Sequence, residues 1–313
     1  MAKGNMLLGY SRGSVGDVVF SRLNGEQLQR ARNRNPNNPK TYSQVSQRSD
    51  FTSLVKFYVV GAQNFFKYAF ESKRSYESDY NAFIRYNKGM AVGETREQIA
   101  NNVAVPGLYC VSAGSLNVAQ PFFVLEEQTV GGVFSIDCTE TDASLPDTVA
   151  GLTRLLVDNH PESGYSDGDI LTFYYVFYLS TQEILDGVRN GLVPSSLGRQ
   201  YFILRQIVLN RSDNTTLASL GMSYDHDSGD PLYINLASNP ITLTNYTVVL
   251  GAMTASRERP NAKLQVSTSY FQPVAGAKAM LTALSGDNYR NAVMQSWGYN
   301  PGAVLQGNLN TNT

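Results

Sequence analysis

The sequence has few of the residues that perform most protein chemistry, with only 2 cysteines, 2 histidines and 1 tryptophan among 313 residues. This excludes a zinc-ribbon cage and a disulfide-stapled mini-domain. It also lacks a nucleophile elbow, a phosphate-binding loop and a metalloprotease helix motif. We therefore expect a protein that is not an enzyme and that needs no cofactor.

Long apolar runs are also missing, since none reaches the roughly 18–20 residues that cross a membrane. The first ten residues contain one lysine and no sustained apolar stretch, which does not match a secretory signal. We expect a protein that has no signal peptide, makes no membrane contact and is made in the cytoplasm of its host.

Charge is scarce as well, at 16% of residues, whereas soluble domains average about 25%. The 42% of hydrophobic residues nevertheless excludes a disordered chain, because they provide ample material for a core. The charge is divided unevenly. Residues 1–60 hold nine basic and three acidic residues, a net charge of +6, and the remainder has a net charge of −7. A basic segment on an acidic body favours contact with a polyanion or with an acidic partner.

The chain begins with a glycine-punctuated hairpin. Residues 17–23 and 26–32 are predicted strands, and Asn24-Gly25 between them is typical of a type I′ turn. Alternation along the second strand places Arg30 and Arg32 on one face, together with Leu28. An extended loop with two prolines follows at residues 33–40.

A long helix is predicted from Thr41, the expected N-cap with Gln44 in the capping-box position, to about Phe70. Apolar residues recur along it at three- and four-residue steps and predict one buried face. These residues are Phe51, Leu54, Val55, Tyr58, Val59, Ala62, Phe65, Phe66 and Ala69. A shorter helix is predicted around residues 78–86.

From about Val105 the sequence alternates strand-forming segments with turn residues, which is typical of an antiparallel sandwich. The predicted strands are residues 109–112, 122–125, 133–138, 170–179, 200–209, 232–236, 242–252 and 263–271. Residues 172–179 are apolar on both faces and should form a central strand. Helices are predicted at residues 181–192 and 275–297.

The predicted fold class is α+β and mainly β. A basic hairpin-plus-long-helix module of residues 1–90 is followed, after a polar linker, by an antiparallel β-sandwich of residues 105–300. The sandwich is either a jelly roll or immunoglobulin-like and has one or two added helices. Residues 301–313 have little to bury and are expected to form a flexible tail.

Candidate chemical sites are few. Asp225, Asp227 and Asp230, which lie beside His226 and Gly229, could ligate calcium, but no bidentate Glu follows at the twelfth position, and a polar hairpin tip is favoured. His160 is expected to be a solvated loop residue. Both cysteines, at positions 110 and 138, are expected to be buried small hydrophobes. A glycosidase-like carboxylate pair from residues 126–127 and 137–142 is disfavoured, because carboxylates are common.

The basic N-terminal segment is the main candidate site. Guanidinium groups donate bidentately to phosphate or carboxylate, and the segment therefore fits either nucleic acid or the acidic surface of another subunit. Few aromatic residues are interleaved, which disfavours single-strand binding, and we favour the subunit interface. The residues are Arg12, Arg22, Arg30, Arg32, Arg34, Lys40 and Arg48.

Residues 9–48, beginning Gly9-Tyr10-Ser11-Arg12-Gly13, resemble the opening of a family of uncharacterised proteins from Bacteroidetes, gut phages and small viruses. Residues 111–116, Val-Ser-Ala-Gly-Ser-Leu, are similar to a second marker of that family. Ser14 and Asp17 stand where the family usually has Lys and Asn. These departures remove a positive charge and argue against a strict phosphate role for Gly13–Gly16. The resemblance implies a structural component of a virion or prophage and provides no catalytic residues.

The first hypothesis is a viral coat or capsid-associated subunit, located in the virion, that self-assembles through its β domain. The 19 tyrosines agree with this, because tyrosine is favoured at interfaces. Its partners would be other copies of itself, other virion proteins and the packaged nucleic acid. One alternative is a phage-encoded nucleic-acid-binding protein. Another is a carbohydrate- or host-surface-binding module that uses Tyr174, Tyr175 and Tyr178, although such residues more often belong to a core.

Overall fold

The structure is a computed structural model in which the chain forms two compact units, residues 1–40 and residues 41–313. The sequence placed the division at a polar linker between residues 87 and 102. That segment instead belongs to the second unit, where Glu94 and Gln98 are fully buried. The structure describes residues 3–5, 10–23, 26–34, 40–61, 69–71, 73–74, 76–101, 103–118, 123–128, 131–136, 147–179, 200–220, 222–223, 232–234, 246–258, 264–273 and 277–300.

The N-terminal unit is a four-stranded antiparallel sheet in sequential order. The predicted hairpin is confirmed as β3 (Val18–Leu23) and β4 (Glu26–Ala31). Two further strands, β1 (Lys3–Asn5) and β2 (Tyr10–Val15), precede it and were not predicted. Strand β2 was not predicted because its glycine indicated a turn. Gly13 lies within the strand, and Gly16, with φ of +56°, belongs to the turn that follows. The predicted Asn24-Gly25 turn lies outside the described residues.

The second unit begins with helix α1 (Tyr42–Gly61). The backbone N–H of Val45 donates to the Thr41 carbonyl at 3.0 Å, as expected for a helix that starts directly after Thr41. The helix does not reach Phe70 as predicted, because Phe70 forms a parallel bridge with Ala113. Residues 62–68, which include the predicted face residues Ala62, Phe65 and Phe66, lie outside the described residues.

The buried face of α1 differs from the prediction. Leu54 is buried, but Phe51 and Val59 are about half exposed. A different row of residues, at four-residue spacing, faces the core and includes two serines. The row is Val45, Ser49, Ser53 and Phe57. The Ser49 hydroxyl donates to the Ser46 carbonyl at 3.0 Å, and the Ser53 hydroxyl lies 3.4 Å from the Tyr109 hydroxyl. Two positions on the buried face of α1 therefore hold serine, and a search for apolar residues alone does not identify this face.

Two short capped helices follow. The predicted second helix is confirmed as α2 (Asp79–Asn87), whose N-cap Ser78 accepts a hydrogen bond from the Asn81 backbone. Helix α3 (Arg96–Ala100) has a capping box, in which Thr95 and Gln98 each bind the other's backbone N–H. This box fixes the start of α3 in the segment that was predicted to be a linker.

The main sheet of the second unit confirms the prediction of a central apolar strand. Strand β8 (Ile170–Leu179) pairs with β9 (Gln200–Val208) on one side and with β12 (Tyr246–Arg257) on the other. Strands β13 (Gln265–Val266) and β15 (Gln272–Pro273) pair with β12. Because β8 is paired on both edges and buried on both faces along residues 171–177, it has no polar alternation.

The other strands form two smaller antiparallel sheets. One contains β6 (Phe123–Gln128), β7 (Gly131–Ile136), β10 (Met222–Ser223) and β11 (Leu232–Ile234), and the other pairs β5 (Cys110–Ser112) with β14 (Ser269–Tyr270). The chain is thus mixed α+β, with an N-terminal hairpin followed by a helix. A jelly-roll or immunoglobulin-like arrangement of the sheets stays a prediction.

The helices of the C-terminal half differ from the predicted pattern. An unpredicted helix, α4 (Val149–Arg154), continues as a π-helical turn (Leu155–Asn159) and is followed by a 3-10 turn at residues 161–163. The predicted closing helix is divided at Gly286 into α5 (Lys278–Ser285) and α6 (Asp287–Ser296). The predicted helix at residues 181–192 and the predicted tail at 301–313 lie outside the described residues.

Phe57 of α1 lies at the centre of the core of the second unit. The centroid of its ring lies 4.7 Å from the ring centroid of Tyr109, 5.3 Å from that of Phe202 and 5.8 Å from that of Phe271, all in edge-to-face geometry. The Phe83 ring of α2 stacks parallel to it at 6.4 Å. Four separate segments therefore meet on one fully buried side chain.

We expect Phe57→Ala to lower the free energy of unfolding by about 3–5 kcal/mol, because it removes these ring contacts and leaves a cavity. Phe51→Ala on the same helix is a matched control, with an expected change of about 0.5 kcal/mol or less. Urea denaturation of both variants measures the difference. Equal losses in the two variants would contradict a core centred on Phe57.

Candidate functional site

The predicted basic residues belong to both units of the chain. Six of them lie in the N-terminal unit, whereas Arg48 lies on α1 of the second unit and is exposed. Arg30, Arg32, Arg34 and Lys40 are exposed, and Arg12 and Arg22 lie on strands β2 and β3. The structure thus divides the predicted basic residues between the two units, and within the sheet Arg22 lies on the side opposite Arg12 and Arg30.

Strand register divides this sheet into two different faces. Ser14, Val19 and Arg30 form one row across β2, β3 and β4, and Lys3 pairs with Arg12 on the same side. On the opposite side Val15, Val18 and Ala31 form an apolar row. We call these the basic face and the apolar face. The predicted shared face of Leu28 and Arg30 agrees with this register.

The apolar face is exposed at Val15 and Val18, although Phe20 on the same face is buried. Val15 is 52% exposed and Val18 is 37% exposed, and Leu28 on the basic face is also exposed. Phe20 is the buried hydrophobic residue of the described part of this unit. A sheet that buries so little apolar surface gains little from the hydrophobic effect.

Arg34 is less available for a partner than the other arginines. Its guanidinium donates two hydrogen bonds to one carboxylate oxygen of Asp17, one of them at 2.9 Å, and the backbone N–H of Arg32 donates to the Asp17 carbonyl. Asp17 therefore holds the end of β4 against the β2–β3 turn. The Arg30 and Arg32 guanidinium groups form no ion pair with another described residue.

The second unit has an acidic surface around α4 and the loops next to it. Asp158 is exposed and pairs with Arg211, whose backbone N–H also donates to Asp167. Asp213 caps the loop that contacts the start of α4, and hydrogen bonds from Thr215 lower the pKa of its carboxyl. A hydrogen bond from its own backbone and one from His160 lower the pKa of Glu162. We call Asp147, Asp158, Glu162, Asp167 and Asp213 the acidic surface, and the same region also contains the exposed cations Arg154 and Arg211.

The other predicted site residues provide no chemistry in the described structure. Cys110 is buried as expected, and burial raises the pKa of its thiol to about 11, so it is not a reactive thiolate. His160 contacts Glu162 at 3.0 Å. Tyr174 and Tyr175 are buried in the core, which excludes them from a surface that binds carbohydrate. The side chains of Tyr178, Glu126 and Glu127 are not among those described.

The predicted calcium candidates Asp225, Asp227 and Asp230 lie outside the described residues, as do Cys138 and residues 137–142. Among the described residues, no three potential metal-ligating side chains come close enough together to hold an ion. No described helix is long and apolar enough to cross a membrane.

Sequence reasoning missed a buried polar cluster that joins the segment at residues 92–105 to α6. The Trp297 indole donates to the Glu94 carbonyl at 2.7 Å, and the Tyr289 hydroxyl lies 2.9 Å from both the Gly93 carbonyl and the Gln98 amide oxygen. One Glu94 carboxylate oxygen accepts from the Val105 backbone, and the other has no partner among the described residues. Burial raises the pKa of Glu94 to about 7. Glu94 and Gln98 are fully buried, which favours a structural role for the cluster, and Gly93 and Tyr289 also line a cavity of about 340 Å³.

Comparison with known proteins locates one region of similarity. Residues 10–120, about a third of the chain, match the model of a family of unknown function, DUF6266. The matched region runs from β2 through α1, α2 and α3 to just beyond β5. No curated protein matches the chain, and no solved structure matches it.

We expect Glu94→Gln to stabilise the protein at pH 8 and not at pH 4. Because the fold raises the pKa of Glu94 from 4.5 to about 7, its contribution to stability is lost as pH rises through that window. The stabilisation of the variant relative to the parent should grow to about 3 kcal/mol across this range. Urea denaturation at several pH values measures it. The control is Glu97→Gln, at an exposed position on α3. If the free energy of unfolding changes with pH in the same way for the parent and for Glu94→Gln, the interpretation is refuted.

Proposed function

We propose that this chain is a non-enzymatic structural subunit of a virion, a coat or capsid-associated protein that self-assembles through its second unit. In this proposal the N-terminal sheet contacts the acidic surface of a neighbouring copy or the packaged genome. The observation that carries the proposal is the N-terminal sheet itself, a separate unit with one basic face and one exposed apolar face.

The size of this unit supports a need for a partner. A domain of about 40 residues normally requires a disulfide, a metal or association with another chain to be stable. Residues 1–40 contain no cysteine and no histidine. Contact with further protein surface would stabilise the unit, and the row of Val15, Val18 and Ala31 is the apolar surface that association with a neighbouring copy would bury.

Charge supports a second copy as the partner. Residues 1–40 contain seven basic and two acidic residues, a net charge of +5, whereas residues 41–313 have a net charge of −6. Opposite charges of this kind steer association and fix the orientation of the partners. The acidic surface around α4 offers carboxylates that match the guanidinium groups of Arg30 and Arg32.

The virion setting depends on the resemblance of residues 9–48 to proteins of phage and small-virus collections. A neutral chain that is rich in uncharged polar residues and tyrosine is consistent with it, because such a chain packs into an assembly without strong self-repulsion. The same basic face would bind the packaged nucleic acid if the N-terminal sheet faces the interior of a shell.

We expect the purified full-length chain to form multimers, measured by chromatography with light scattering and by negative-stain microscopy. Combined Arg30→Glu and Arg32→Glu substitutions should shift it to smaller species, because they place carboxylates against the acidic surface. High salt should have a similar effect by screening the contact. Exchanging two exposed cations of the second unit, Arg74→Glu and Lys278→Glu, is the matched control and should leave the multimers intact.

A charge exchange makes this test specific to the proposed partner surface. Asp147→Arg and Glu162→Arg should weaken assembly alone, and mixing those chains with the Arg30→Glu, Arg32→Glu chains should restore it. A parent chain that is monomeric at every salt concentration would contradict the proposal. If the arginine variants assemble normally but lose retention of single- or double-stranded DNA on filters, nucleic-acid binding is the function of the basic face.

A further inference from the structure

The second unit contains a groove between α1 and α2 that the assembly proposal does not use. It has a volume of about 660 Å³, within the range of small-molecule sites in proteins. Its wall is formed by Phe51, Leu54 and Ile84, and the polar residues along it include Gln47, Arg48 and Lys88. The residues that line it on α1 extend from Gln44 to Leu54, about 15 Å along a helix at 1.5 Å per residue.

The apolar wall of the groove is open to solvent. Phe51 is 53% exposed, although its position on α1 follows the apolar pattern that predicted burial. Leu54 is buried, and Ile84 is half-buried, at the base of the groove. A large aromatic side chain exposed beside buried aliphatic residues is the arrangement of a ligand site with an apolar interior.

The charges of the groove are predominantly positive. Arg48 and Lys88 are both exposed, and neither side chain forms a hydrogen bond or ion pair with another described residue. The carboxylate of Asp50 also lines the groove, but it is half-buried and accepts from the Ser46 hydroxyl at 3.2 Å. Burial raises the pKa of Asp50, and the charge of Arg290 opposes that rise. Among the described residues, two cations that form no side-chain hydrogen bond or ion pair therefore line the groove, together with one carboxylate that accepts from Ser46.

A ligand that suits both features has an apolar body and a single anionic group. The apolar body would cover Phe51, Leu54 and Ile84, and the anion would accept from Arg48 and Lys88 at the rim. Cationic amphiphiles would face two like charges, and a small anion alone would leave the apolar wall exposed. We propose that the α1–α2 groove binds a small anionic amphiphile, such as an aliphatic or aromatic carboxylate.

The test is calorimetric titration of the full-length chain with decanoate, below its micelle concentration. The matched ligands are decylammonium, which has the same chain and the opposite charge, and inorganic phosphate, which has the anion without the chain. We expect one decanoate per chain, at least tenfold weaker binding of decylammonium, and no measurable binding of phosphate. Equal binding of decanoate and decylammonium would overturn the proposal, because charge would then play no part.

Variants locate the site. Arg48→Gln with Lys88→Gln should weaken decanoate binding at least tenfold, and Phe51→Ala should weaken it severalfold. Val59→Ala, equally exposed on α1 but outside the groove, and Arg154→Gln, an exposed cation on α4, are the matched controls and should bind as the parent does. All substituted side chains are exposed, and thermal unfolding checks that each variant remains folded. Unchanged binding in the groove variants would overturn the assignment.

Two further measurements distinguish other anionic partners. A ten-nucleotide oligothymidylate that displaces decanoate and binds more tightly would overturn the proposal in favour of a nucleic-acid contact at Phe51. If the chain sediments with phosphatidylglycerol vesicles but does not bind decanoate, the proposal is overturned in favour of binding to a membrane surface. Neither outcome depends on the oligomeric state, so failure here is separate from failure of the assembly proposal.

Discussion

The contact of Phe57 with rings from four other segments is the interaction on which the second unit depends. Phe83 belongs to α2, Tyr109 precedes β5, Phe202 lies on β9 and Phe271 follows β14, so residues separated by more than 200 positions meet at one side chain. This contact fixes α1 against both helical and strand segments. It also explains why the chain divides after Lys40: the helix that follows belongs to this core, whereas the strands before it do not contribute rings to it among the described residues.

Fixing Phe57 inward determines what α1 presents outward. A helix turns through 100° per residue, so residues 45, 49, 53 and 57 share one face and residues 51, 55 and 59 share another. Both rows contain apolar residues, and only one of them can face the core. The inner row includes two serines, whose hydroxyls find partners there, and the outer row leaves Phe51 and Val59 in solvent. The exposed wall of the α1–α2 groove is therefore a consequence of how the core is packed.

Strands with a strong local signature were predicted well from the sequence. The bounds of β8 match the prediction of residues 170–179, because the segment follows a turn signal and consists mainly of β-branched and aromatic residues, which favour a strand. Helix α4 was missed because it has only 6 residues and the following π-helical turn has no sequence signature. The inward face of α1 was assigned wrongly because two rows of apolar residues compete, and tertiary packing decides between them. The buried Glu94 was missed because a glutamate in a polar stretch normally lies on the surface, and only the fold reveals that it is enclosed.

The seven basic residues form one cluster in the sequence, but the structure divides them between its two units. Six of the seven lie in the N-terminal unit, three of them on the strands of its sheet, while Arg48 lies on helix α1 of the second unit. Two different electrostatic environments result. On the sheet, several cations share one broad face, which suits an extended acidic surface. On the helix, Arg48 and Lys88 border a narrow apolar groove, which suits a single compact anion. A charge count along the chain treats them as one site, whereas the structure divides them between the two units.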